Sequence, residues 1–154
     1  MSQIATEADD EVPVNLSNRT PYGFLVQFPS VCFVGALMSD LAYLKTTLPM
    51  WETFSVWLLA VGCVLAGLAG LVGLAYFLGS PQVRAARLAW PHAMVSLAAA
   101  LLSVLNAFVH SRDGYTAVVP EGLTLSAIVV VLMVVALFLG RTGPAPRSQF
   151  LAAT

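Results

Sequence analysis

The chain has 154 residues, of which 58% are hydrophobic and only 10% are charged, with a formal net charge of −1. Soluble domains average about 45–50% apolar and about 25% charged residues, so this composition leaves too few polar side chains to cover a water-exposed surface. The high hydrophobic fraction and the low charged fraction therefore favour an integral membrane protein. The seven Lys and Arg residues form no dense basic face, which argues against a nucleic-acid partner.

The two ends of the chain differ from its middle. Residues 1–20 hold four acidic side chains and no apolar run. A secretory signal begins with basic residues, so this segment predicts a disordered acidic tail. Residues 141–154 contain two prolines and predict a flexible C-terminal tail. Everything else falls in one domain, residues 21–140.

Four apolar stretches fill that domain, at residues 22–44, 54–78, 88–109 and 123–139. Each is close to the ~20 residues that a helix needs to cross a hydrocarbon core about 30 Å thick. Lipid offers no hydrogen-bond partners, so each stretch must satisfy its own backbone groups as a helix. We therefore predict an all-α integral membrane four-helix bundle with short loops and both termini on the same side.

The first span carries Gln27 near its start and Asp40 toward its end. Ionisable residues inside a membrane are costly, which makes Asp40 a candidate functional residue. Two interpretations stay open for it. Asp40 is either a polar packing residue near the interface, bonded to Ser39, Asn106 or His110, or a carboxylate that handles a proton or an ion.

The second span is rich in small residues. Gly62, Ala66 and Gly70 recur every four positions, and Gly73 lies on the adjacent stripe. Small residues at this spacing let two helix backbones approach closely in lipid. The third span has a similar small-residue face, so we predict that the second and third spans pack tightly as an antiparallel hairpin.

Two histidines bracket the third span. His92 and His110 are 18 residues apart, or about 27 Å along a helix, so one haem or metal cannot bind both. His92 is a candidate axial ligand for haem b, with Met94 or another subunit as the second ligand. The alternative is a histidine at a helix start that bonds to backbone or to lipid headgroups. Tyr22 and Gln27 lie at the same end and are predicted to form a hydrogen-bonded cluster with His92.

Lys and Arg near the span ends set the orientation. Two lie on one side, Lys45 and Arg112, and five lie on the side of the termini, namely Arg19, Arg84, Arg87, Arg141 and Arg147. Both termini are therefore predicted to face the cytoplasm. The chain has no nucleophile elbow, phosphate loop, HExxH or paired acids within a span, so we predict that it is not an enzyme.

Several motifs together resemble one known family. They are Val26-Gln27-Phe28-Pro29, then Asp40-Leu41-Ala42-Tyr43-Leu44, then Pro49-Met50-Trp51, and later Pro81-Gln82-Val83-Arg84, His92 and Asn106. Over about residues 22–140 they are similar to an uncharacterised bacterial four-helix membrane family that carries a domain-of-unknown-function label. The resemblance implies a multi-pass protein of the bacterial inner membrane. It also implies proximity to periplasmic oxidoreductases or cytochromes, near which members are often encoded.

This chain departs from the family at two histidine positions, where Tyr22 and Gln27 stand. If the family's histidines bind haem, the resemblance implies that one side of the site is lost here. The leading hypothesis is a non-enzymatic integral membrane subunit that anchors or scaffolds a larger redox or bioenergetic complex. Its partners would be lipids and other membrane or periplasmic subunits, with a homo-oligomer as an alternative. Two other functions remain open: a haem-b or quinone-linked electron carrier using His92, and a small oligomeric transporter using Asp40.

Overall fold

The computed structural model describes residues 20–79, 81, 84, 88–112 and 118–141, with residues 20–24, 26 and 141 described by their backbone. The described chain is helical, without strands. Its four long helices are α1 (Thr20–Thr46), α2 (Pro49–Gly79), α3 (Ala89–His110) and α4 (Leu123–Arg141), and a short irregular segment, Val118–Gly122, leads into α4. The predicted tails, apart from their junctions with α1 and α4, lie outside the described residues.

A two-residue turn joins α1 to α2. Thr47 takes a left-handed conformation with φ 54°, which is uncommon for a β-branched residue. Its backbone N–H donates to the carbonyl of Tyr43 at 2.8 Å. Pro49 then starts α2, where its missing N–H costs nothing because the first N–H groups of a helix lack partners. Asp40 lies six residues before the end of α1 and Ser55 six residues after the start of α2, so this short turn places them opposite each other at the same level.

Three of the described helices are long and apolar enough to cross a membrane by length and composition. They are α2, α3 and the last helix, counted from Val118 to Gly140. Within the described residues α1 is not among them. Crossing by α1 therefore stays a prediction.

The helices pack mainly as two pairs. α1 lies along α2 over the most extensive contact, α3 lies along α4, and smaller contacts join α1 to α4 and α2 to α3. The core cluster at the centre consists of Phe33, Ala36, Leu59 and Val129. The predicted tight hairpin of the second and third spans is therefore corrected, because the main neighbour of α2 is α1.

Gly62 explains why α1 approaches α2 so closely. A Cβ atom at this position would stand 2.7 Å from Cε1 of Phe33 and 3.1 Å from Cβ of Cys32, so only glycine fits. Ala66, one turn later, packs on the core cluster. Gly73 is half-buried.

The prediction that Gly70 packs against another helix of this chain is wrong. Gly70 is exposed, and a Cβ atom there would meet nothing within 4 Å. The reason is the pitch of the helix, since a four-residue step overshoots one turn of 3.6 residues by about 40°. Two such steps rotate Gly70 about 80° away from the face that Gly62 presents to α1.

Apolar side chains cover the outside of the described helices. Val31 is 70% exposed, Trp57 68% and Phe108 68%, whereas Asp40 is 0% exposed. In water this distribution would be unfavourable, because large apolar patches on soluble monomers are rare. Contact with lipid accounts for this apolar surface, whereas several polar side chains, Asp40 among them, lie inside.

Candidate functional site: a polar cluster around Asp40

Five buried polar side chains meet near one end of the helices. We call them the polar cluster: Asp40 from α1, Ser55 from α2, Asn106 and His110 from α3, and Ser126 from α4. None is more than 2% exposed. The cluster joins the C-terminal parts of α1 and α3 to the N-terminal parts of α2 and α4, so all four helices contribute.

Asp40 is the centre of the cluster. Its Oδ1 accepts a hydrogen bond from the Ser55 hydroxyl at 2.5 Å and lies 2.9 Å from Nε2 of His110. Its Oδ2 accepts a hydrogen bond from the Ser126 hydroxyl at 2.6 Å. Hydrogen bonds to an ionised carboxylate are stronger than neutral ones, and they stabilise the charged form in an apolar surrounding.

The hydrogen bonds of His110 fix the proton count of the pair. Its Nδ1 lies 3.0 Å from the carbonyl oxygen of Asn106, and a carbonyl only accepts, so Nδ1 carries a hydrogen. A second hydrogen must lie between Nε2 and Oδ1 of Asp40, because two lone pairs at 2.9 Å would repel. The pair therefore holds one shared proton and is neutral overall. Because the hydroxyls of Ser55 and Ser126 both donate to Asp40, its resting form is a carboxylate paired with an imidazolium.

Asn106 is incompletely bonded. Its Nδ2 donates to the Ser126 hydroxyl oxygen at 2.8 Å, while its Oδ1 is buried without a partner in the described part of the chain. The hydrogen of Ser126 is already donated to Asp40, so Ser126 can only accept from Asn106, and this fixes the amide orientation. More than 90% of buried polar groups find a partner, which makes the free Oδ1 an exception.

The cluster lies close to one end of the helices. Asp40 is six residues before the end of α1, which is about 9 Å along the axis. His110 is the last residue of α3, and Ser111 and Arg112 after it are exposed. Arg112 forms an exposed ion pair with Glu121 at 3.1 Å. Water at this end is therefore within one residue of the buried imidazole.

An open groove lies beside the cluster on the outer surface of α3 and α4. It has a volume of about 430 Å³ and is lined by Leu105, Val109, Pro120, Glu121, Thr124 and Leu125. Its lining is almost entirely apolar, and the one carboxylate in it, Glu121, is held by Arg112. The groove thus offers contact to an acyl chain and few polar partners.

His92 lies at the opposite end. Its Nδ1 is 2.9 Å from the carbonyl oxygen of Ala136 on α4, and its ring covers Gly140, where a Cβ atom would stand 3.3 Å from Cε1. This matches the alternative of a helix-start histidine bonded to backbone. Gln27 is exposed, and the side chain of Tyr22 is outside the described part, so the described residues do not assemble the predicted cluster with His92.

The described residues do not fit a haem with two axial ligands. His92 supplies one imidazole, and Met94 is exposed two positions later, which in a helix directs it to a different face. Within the described part of the chain no three His, Cys, Asp or Glu side chains are grouped for a metal ion. We therefore derive no chemistry through such a group.

Sequence reasoning named three members of the cluster and missed two. Asn106 and His110 were among the partners considered for Asp40, whereas Ser39 instead donates to the carbonyl of Gly35 in its own helix at 3.0 Å. Ser55 and Ser126 were missed, because a single serine in an apolar run has no periodicity. Ser55 follows the start of α2 by as many residues as Asp40 precedes the end of α1, so its match in depth to Asp40 is visible only once the bounds of both helices are known.

Comparison with known proteins identifies the family. The family model described as "Predicted membrane protein (DUF2231)" matches residues 23–143. No curated protein and no solved structure is significantly similar to the chain. The match covers most of the chain and confirms the resemblance that its motifs carry. The chain belongs to the DUF2231 family of predicted membrane proteins.

Proposed function

We propose that the chain is a non-enzymatic integral membrane subunit that anchors or scaffolds a larger assembly. In this proposal all four helices cross a bacterial inner membrane as one bundle, with both termini in the cytoplasm. The polar cluster supports the topology, because it joins the ends of α1 and α3 to the starts of α2 and α4 at one level. The excess of Lys and Arg near the termini supports the orientation.

The polar cluster also supports a crossing by α1. A lone carboxylate in a membrane helix is costly, but Asp40 is fully buried and receives its hydrogen bonds from the other three helices. The hydrogen bonds that Asp40 accepts inside the protein therefore offset the free-energy cost of placing its carboxylate in the membrane. With 27 residues α1 is about 40 Å long, which exceeds the ~30 Å hydrocarbon core.

The observation that carries the anchoring role is an open face of α2. Gly67 and Gly70 are exposed there, and a Cβ atom at either position would meet nothing within 4 Å. Leu71 and Leu74 lie beside them and are also exposed. Small residues flanked by leucine allow a second membrane helix to approach closely. We take the occupant of this face to be a helix of another subunit.

Two parts of the proposal have different support. The open face of α2 supports only the part of the proposal that a partner helix binds there. The redox or bioenergetic nature of the assembly comes from the family resemblance, through the oxidoreductases and cytochromes near which members are encoded. Absorption spectra of the co-purified material would test that second part separately.

The experiment is purification of the tagged chain in mild detergent, followed by mass spectrometry of what remains bound. The wild-type chain is expected to retain a second membrane protein, and Gly70→Leu is expected to lose it while keeping its own fold. Gly79→Leu is the matched control, because Gly79 is also exposed with open space at its Cβ position but lies at the last residue of α2. It is expected to behave as wild type.

Two results would contradict the anchoring role. One is a wild-type chain that is a clean monomer or a simple homodimer in every gentle detergent. The other is a Gly70→Leu variant that retains its partner as well as Gly79→Leu does. Circular dichroism of each variant would establish that helix content is unchanged.

A further inference from the structure

We propose that the polar cluster is a binding site for one additional proton, which is taken up on Oδ2 of Asp40 and released again to water at the same end of the helices. Asn106 and Ser126 act as positioning residues that reverse their hydrogen bonds to admit it. The proposal goes beyond the anchoring role and does not depend on a partner protein.

The two oxygens of Asp40 are unequally occupied. Oδ1 accepts from Ser55 and faces Nε2 of His110, so both of its lone pairs are used. Among the described residues, Oδ2 accepts from Ser126 alone. In the resting state His110 already carries a hydrogen on each ring nitrogen, so it can accept no further proton. A second proton entering the cluster therefore has Oδ2 as its acceptor.

Adding a proton to Oδ2 requires the neighbouring hydrogen bonds to reverse their direction of donation. At rest the order of donation runs from Asn106 Nδ2 to Ser126 Oγ, and from Ser126 to Asp40 Oδ2. In the loaded state Asp40 Oδ2–H donates to Ser126 Oγ, and the Ser126 hydroxyl hydrogen needs a new acceptor. Rotation of the Asn106 amide by half a turn presents its Oδ1 to Ser126 and supplies that acceptor. One proton is gained, and no bond between heavy atoms forms or breaks.

The unpartnered Oδ1 of Asn106 makes this reversal inexpensive. At rest Oδ1 is the amide atom that has no partner among the residues that the structure describes. After the amide rotates, Nδ2 occupies that same place and becomes the atom without one. One polar atom of the amide is unsatisfied in both states, so neither orientation is strongly preferred. The protonation state of Asp40 sets the direction of the Ser126 hydroxyl, and that direction selects one of the two amide orientations.

The charged groups around the cluster determine the cost of the added charge, because the loaded pair carries a net charge of +1. Glu52 on α2, one turn before Ser55, interacts electrostatically with His110 and offsets part of that charge. Lys45 on α1 is exposed, and Arg112 after α3 is exposed and paired with Glu121 before α4. Among the described residues these are the other charged groups at this end.

The site is accessible from one side only in this proposal. His110 adjoins the exposed residues Ser111 and Arg112, so protons exchange with water there. Towards the other end the chain passes through the apolar core cluster, and His92 lies about 27 Å away along α3. The site therefore binds and releases protons without passing them across the membrane.

Infrared difference spectroscopy of the purified chain, stepped from neutral to acidic pH, tests the proposal directly. A protonated carboxylic acid has a carbonyl stretch that a carboxylate lacks. The wild-type chain is expected to gain one such band from a buried acid, and Asp40→Asn is expected to lack it. Glu121→Gln is the matched control, since it removes an exposed acid near the same end and should leave that band in place.

Variants of the two positioning residues separate the proton site from a merely structural cluster. Asn106→Leu has nearly the same shape but cannot accept a hydrogen bond, and it should bind the proton about tenfold more weakly, moving the band about one pH unit lower. Ser126→Ala removes a hydrogen-bond donor to the carboxylate and should bind the proton more tightly, moving the band to higher pH, whereas Ser126→Thr keeps the hydroxyl and should match wild type. Because Ser126→Ala removes the hydroxyl and Ser126→Thr keeps it, these two variants decide the matter even if Asp40→Asn fails to fold.

Two outcomes would overturn the proposal. The first is a folded wild-type chain that gains no acid band removed by Asp40→Asn. The second is a band that appears at the same pH in wild type, Asn106→Leu and Ser126→Ala, since the hydrogen-bond reversal would then play no part.

Discussion

Replacing Asp40 with alanine is expected to lower the free energy of unfolding by about 3–5 kcal/mol, the usual cost of removing one partner from a buried ion pair. The substitution deprives Ser55, His110 and Ser126 of their acceptor at once. Hydrogen bonds between membrane helices average only ~0.6 kcal/mol, so three ordinary ones would total about 2 kcal/mol. The larger loss is expected because the imidazolium of His110 would be left buried without its counter-charge.

The measurement is unfolding of the purified chain in mixed detergent micelles, followed by circular dichroism with increasing denaturing detergent. Glu121→Ala is the matched control, because it also removes an acid from an ion pair, but an exposed one, and should cost less than about 1 kcal/mol. A loss for Asp40→Ala no larger than that of the control would refute the view that the polar cluster holds the helices together. A loss near 2 kcal/mol would instead indicate that His110 becomes neutral when Asp40 is removed.

Three further outcomes are expected. Gly62→Ala should destabilise the chain by about 1–3 kcal/mol, because its Cβ would stand 2.7 Å from the Phe33 ring. Gly70→Ala should be neutral or stabilising by up to about 1 kcal/mol, because its Cβ would meet nothing. Equal melting temperatures for the two variants would contradict the assigned α1–α2 contact. The purified chain should show no Soret band, and a band that disappears in His92→Ala would restore the haem hypothesis. Reconstituted in liposomes, wild type and Asp40→Asn should pass protons equally slowly, since the site is accessible from one end; a flux that Asp40→Asn removes would favour the transporter instead.

The helices could be predicted from sequence because membrane insertion leaves a strong compositional pattern. The second span was placed at 54–78, and α2 begins five residues earlier, at Pro49. Glu52 and Thr53 are polar and lie outside the apolar stretch, although Pro49 is well suited to a helix start. Polar residues in a first turn are thus compatible with a helix that extends beyond the hydrocarbon core.

The contacts between helices were harder to predict, because a pattern on one helix does not specify its neighbour. The spacing of Gly62 and Gly70 predicts one common face, yet the rotation per residue separates them, and only Gly62 meets Phe33. The polar cluster was partly predictable, since Asp40 needed partners and His110 lay at the right depth. Ser55 and Ser126 required knowledge of which helices are adjacent, which composition does not contain.

The position of the partners of Asp40 along the chain affects how the protein is made. Ser55 follows Asp40 by 15 residues, but His110 follows by 70 and Ser126 by 86. At a synthesis rate of about 5–20 residues per second, His110 emerges roughly 4–14 s after Asp40. During that interval the newly made α1–α2 hairpin holds an acid that only one serine can stabilise. Biogenesis therefore has a late closing step, in which the second hairpin delivers the counter-charge, and a chain truncated after α2 should be retained by the insertion machinery or degraded.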